Sequence, residues 1–101
     1  MARYSAEEKQ EAHAAFEAIL DQLDVMERQP DSWEESCLVH ALSYMEAGIY
    51  DRARVELGEC VKPIAERSAW RAVQLERNPP RYKVERLRMR LNQLKVEMRQ
   101  R

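Results

Sequence analysis

A chain of 101 residues with 45% hydrophobic and 35% charged residues but only 2 Gly carries enough apolar material for one core and little of what tight turns and strands require. No run approaches the roughly 20 apolar residues of a membrane span, and Met1-Ala2-Arg3-Tyr4-Ser5 leads into Glu7 and Glu8 without an apolar signal segment, so a cytoplasmic location is expected. The net charge of −1 conceals an asymmetry, with 9 Lys and Arg against 16 Asp and Glu in residues 1–80 but 8 against 2 in residues 81–101, an acidic body with a basic tail.

Ser5-Ala6-Glu7-Glu8 has the form of a capping box and starts the first helix. Ala12, Ala15, Phe16, Ile19, Leu23 and Met26 follow at steps of three and four, which draws one apolar stripe to a helix end at about Arg28. Pro30 breaks the helix, and Asp31-Ser32-Trp33-Glu34 caps a second one, with Trp33, Cys37, Leu38, Ala41, Leu42, Tyr44 and Met45 as its apolar set. Gly48 stands where a left-handed C-cap is expected. A third helix runs from Tyr50 or Asp51 to Val61, with Ala53, Val55, Leu57 and Cys60 inside it. A fourth, from Pro63 to about Arg77, holds Ile64, Ala65, Trp70, Val73 and Leu75. Asn78-Pro79-Pro80 is the strongest breaker, and Tyr82 to Arg101 reads as one long helix. The expected organisation is an all-α small bundle, with an acidic helical domain of about four helices over 1–78 and a basic amphipathic helix over 79–101.

Between Cys37 and Pro63 the chain resembles a single tetratricopeptide-repeat hairpin. Ala41, Tyr44, Gly48, Tyr50, Asp51, Ala53, Leu57 and Pro63 fall at the spacings of that family, while its mid-helix Leu-Gly pairing is missing and Trp33 matches its opening tryptophan only approximately. The resemblance implies a helical hairpin within a short solenoid-like array or bundle, and a concave peptide-binding face only by analogy, since about three repeats build one.

Candidate chemistry is sparse. Cys37 and His40 share a helix face that Cys60 could approach, but only His13 remains to complete a metal set, so no metal and no cofactor is expected. Both cysteines sit on apolar faces where a thiol is a poor nucleophile, and they read as buried, reduced and adjacent across a hairpin that turns at Gly48-Ile49. With only Gly48 and Gly58 there is no phosphate-binding loop. The pairs Glu7-Glu8 and Glu34-Glu35 suit helix N-termini without any catalytic role. No enzymatic function is expected.

The C-terminal helix carries the strongest signal. Val84, Leu87, Leu91, Leu94 and Met98 form a seam of coiled-coil spacing, flanked by Arg86, Arg88, Arg90, Lys95 and Arg99. Three uses are open to it: docking on the acidic body, pairing with a second copy or a partner protein, and contact with nucleic acid. Its apolar face lacks the Trp and Phe that would favour a membrane surface. The leading expectation is a non-enzymatic adaptor or regulatory subunit. Its partner, or a second copy, would contact Val84, Leu87, Leu91, Leu94, Met98, Arg86, Arg88 and Arg90, with Trp70 in the core or at a contact surface. The alternative is a nucleic-acid-associated regulator acting through residues 81–101, whose binding would fall steeply with salt.

Overall fold

Caps and breakers divide the chain into α1 (Ala6–Val25), α2 (Ser32–Glu46), α3 (Tyr50–Cys60), α4 (Ala69–Glu76) and α5 (Val84–Gln100), with a 3-10 turn at Ile64–Glu66 before α4. The computed structural model describes residues 5–77 and 80–100, the side chains of 98–100 excepted, and no strand occurs among them. The breaker at Asn78-Pro79 and the side chain of Met98 lie outside the described residues.

The helix starts follow the side-chain acceptors. The Glu8 N–H donates to the Ser5 hydroxyl at 3.1 Å, although Glu8 takes the serine hydroxyl in return and not the cap N–H. At α2 the capping box is complete, with the Glu34 N–H on Asp31 and the Asp31 N–H on Glu34. Burial alone would raise the Asp31 carboxyl, but the Glu34 N–H and the Arg67 guanidinium outweigh it and hold that carboxyl below the usual range.

Two helices end in the same way. Gly48 takes a φ of 78°, and the N–H groups of Gly48 and Ile49 donate back to Met45 and Tyr44, the Schellman arrangement. Glu27 does the same after α1 with a φ of 52°, and Glu27 and Arg28 donate to Asp24 and Leu23. The helix therefore stops three residues before the position expected from its pattern, on a non-glycine residue in the left-handed region.

The α2–α3 pair is an antiparallel hairpin, because the start of α2 meets the end of α3. The Trp33 indole N–H donates to the Glu59 carbonyl at 2.8 Å, and the Cys60 thiol lies 3.9 Å from the Glu34 carbonyl. α3 and α5 each pack between α1 and α2, which closes a four-helix ring, while α4 leans on the outside of α2. One core fills the ring, from Phe16, Leu20 and Leu23 through Leu38, Leu42 and Met45 to Leu57, Leu87 and Leu91.

The segment after α3 departs most from its expected form. One helix was expected from Pro63 to Arg77, but Arg67 and Ser68 leave the helical region and the Ser68 hydroxyl recaps the chain for an α4 of 8 residues. Arginines hold α4 in place more than apolar contact does. Arg71 lies 4.8 Å from the Trp33 ring and reaches Ser36 and Glu56, and Arg67 lies 5.6 Å from the same ring and pairs with Asp31 at 3.1 Å. Ala72 and Leu75 touch the core, but Trp70 is 75% exposed and Ile64 and Val73 are exposed with it.

Candidate interaction site

Of the uses open to the C-terminal seam, the chain takes the dock onto its own acidic body. Val84, Leu87, Leu91 and Leu94 are buried in the common core against α1 and α2. These four were expected to meet a partner; in this conformation they present no apolar face to one. Full burial of a side chain of this size contributes about 1.5–3 kcal/mol, enough to hold a helix that is marginal alone.

The flanking cations follow the seam inward. Arg88 donates to Asp21 at 3.0 Å and Asp24 at 2.7 Å, Arg90 meets Glu46 at 2.6 Å, and Lys95 pairs with Glu17. Burial works against the Arg88 charge, but its bonds to Asp21 and Asp24 prevail and raise its pKa. The asymmetry read from the sequence is thus resolved as self-complementarity: α5 runs antiparallel to α1 and parallel to α2, basic side chains against acidic ones. Arg81, Lys83 and Arg86 stay exposed, and Arg86 lies over the Tyr82 ring at 4.9 Å.

The two thiols are neighbours, as expected, but the candidate metal residues are not gathered around them. Cys37 lies beside Arg71 on the α4 side, half-exposed His40 faces Glu56 at 4.0 Å, and His13 is buried toward Lys95 of α5. Among the described residues no three His, Cys, Asp or Glu side chains are placed to hold a metal ion. Both thiols are free and buried. Burial pushes Cys37 up to about 12 and raises Cys60 further, with the neighbouring Cys37 adding to the rise, so neither is a thiolate near neutral pH.

One largely apolar concavity lies where the sequence offered no motif. α1 and α3 run in the same direction, with Lys9 over the Tyr50 ring and Arg54 bonded to Glu11 near their starts. Further along they part over a groove of about 670 Å³. Buried Leu23, Leu57 and Cys60 floor it, Ala15, Ala18, Ile19 and Met26 form the α1 wall, and Gly58 and Val61 form the α3 wall. Arg28, Arg54, Lys62 and Arg67 also line it, with the buried Glu34. At one corner Arg28 clamps both oxygens of Glu34, at 2.6 and 2.8 Å, a bidentate bond that raises the guanidinium pKa.

The sequence held a faint trace of this surface. Val61 lies off the buried stripe of Ala53, Leu57 and Cys60. Apolar residues outside a core stripe were the available signal. No protein-family model, no curated protein and no solved structure matches this chain. None of its described helices is long and apolar enough to cross a membrane.

Proposed function

We propose that this chain is a non-enzymatic helical interaction module, an adaptor or regulatory subunit, and that a partner protein docks in the α1–α3 groove. The observation that carries the reading is the groove itself: an open, largely apolar trough about three helical turns long, with small residues on both walls and four cations among its lining. Such a surface takes up a helix face. The α2–α3 hairpin resembles a tetratricopeptide-repeat hairpin in the positions of Ala41, Tyr44, Gly48, Tyr50, Ala53 and Leu57. On this reading the hairpin is a scaffold that presents α3, and Trp70, Ile64 and Val73 on the flank widen the apolar contact.

The test is capture of partners from the source cells with the parent chain and with Ala18→Gln/Gly58→Gln, which lays two uncharged polar side chains across the groove. Both positions are exposed, and a Cβ at Gly58 meets nothing within 4 Å, so the fold tolerates the pair. Loss of the captured protein with an unchanged melting curve is the expected result. If the double variant retains every partner, the groove is not the site. The competing reading, a nucleic-acid-associated regulator, rests on Arg81, Lys83 and Arg86, the cations that α5 and its approach leave exposed. It takes over if tight, salt-sensitive duplex binding is lost when those three are reversed to Glu.

A further inference from the structure

We infer that the occupant of the α1–α3 groove is a single amphipathic helix of a partner protein with an acidic flank, an assignment that rests on the interaction reading above. Four cations line the groove and one carboxylate, Glu34. That carboxylate is only 9% exposed and is occupied twice over, by Arg28 and by the Asp31 N–H. The other three cations are bonded to carboxylates that stand outside the lining, so the groove itself presents more cations than carboxylates.

Arg54, Lys62 and Arg67 do have partners, but Glu11, Glu59 and Asp31 stand outside the lining. The Arg54 and Lys62 pairs are solvent-exposed and contribute little, so a carboxylate arriving on a bound helix competes with them. Arg67 is the fixed point. Its side chain is 13% exposed, donates from Nε to the Lys62 carbonyl at 3.2 Å and lies against Trp33, so its guanidinium is already oriented when a partner arrives.

Size and shape select a helix. The α1 wall from Ala15 to Met26 spans about 16 Å at 1.5 Å per residue, or three turns of an incoming helix. Ala15, Ala18 and Gly58 keep the walls low enough for apolar side chains at i, i+3, i+4 and i+7 to reach Leu23 and Leu57. A basic helix, such as the α5 of a second copy, would bring like charge to the rim.

The probe is a phage-displayed library of 16-residue peptides with apolar residues at i, i+3, i+4 and i+7 and flanks randomised among Glu, Lys, Gln and Ala, selected on the full chain. Enrichment of Glu over Lys is expected. The purified best binder should weaken with salt, bind Ala18→Gln/Gly58→Gln at least tenfold more weakly, and give way to Lys-flanked peptides when selection is repeated on Arg54→Glu/Lys62→Glu. Groove-dependent binders with neutral or Lys-rich flanks would overturn the acidic assignment and leave the interaction reading standing. A library without any binder sensitive to the Ala18/Gly58 pair overturns both.

Discussion

At the scale of single residues, backbone conformation and one buried imidazole give the sharpest expectations. Glu27 occupies the left-handed region at a cost of about 1–2 kcal/mol, which Gly would not incur. Glu27→Gly should therefore raise stability, by about 0.5–1 kcal/mol once the freer unfolded chain is counted, while Gly48→Ala should lower it by about 1 kcal/mol through the backbone alone. Chemical denaturation of both variants checks the pair, and shifts in the same direction would exclude a backbone origin. His13 sets a pH dependence. Burial, reinforced by the positive charge of Lys95, lowers its pKa below the ordinary 6.5, so the unfolded chain takes up a proton that the folded chain refuses. Its contribution is fully present above about pH 6.5 and is lost as the pH falls from there through the folded value. Denaturation midpoints at pH 7.5 and 5.5 should differ in the parent and differ less in His13→Gln; equal differences would remove His13 from the account.

At the scale of the element, the helices were legible in sequence wherever a side chain both ended the helix and matched its pattern. Asp31, Gly48 and Pro30 did so, and α2 and α3 fall within a residue of their expected ends. Two ends were not legible, for physical reasons. Nothing in Glu27 announces a left-handed C-cap, and Ser68 recaps a helix in the middle of an apolar pattern that seemed continuous. Of the two places expected for Trp70, the core is closed to it, since a short helix clamped by Arg67 and Arg71 turns its largest apolar side chain outward. The seam of α5 was legible as a seam, but spacing alone does not say which surface it meets. That surface is the chain's own body, so Leu91→Ala should lower the stability of the monomer itself, by about 2–5 kcal/mol. Arg88→Ala should cost less, about 1 kcal/mol or below, and its effect should shrink in 1 M salt because its carboxylate partners are exposed. Equilibrium denaturation with a measurement of mass in solution decides the matter: dissociation of an oligomer by Leu91→Ala without loss of monomer stability would return the seam to a partner.

At the scale of the whole molecule, the groove escaped the sequence because it belongs to no element. Ala15 and Ala18 are unremarkable helix residues, Gly58 is an ordinary weak point in α3, and the site arises only where α1 and α3 part above Leu23 and Leu57. The charge asymmetry was visible from the outset, yet its sense depends on the ring: α5 closes it and turns an acidic body and a basic tail into one complementary unit. Among the described residues, four of the eighteen buried apolar residues of the core lie on α5. At about 1.5–3 kcal/mol each they supply roughly 6–12 kcal/mol, comparable to the whole stability of a domain this size. A chain ending at residue 77 is therefore expected not to fold as an acidic monomer. It should keep part of its helical signal, lose its cooperative melt and bind apolar dyes where α5 has left α1 and α2. A synthetic peptide of residues 80–101 added in trans should restore the melt, less effectively as salt is raised, because Arg88, Arg90 and Lys95 guide it onto Asp21, Asp24, Glu46 and Glu17. A truncated chain that melts as sharply as the parent would show α5 to be dispensable to the core and free to act elsewhere.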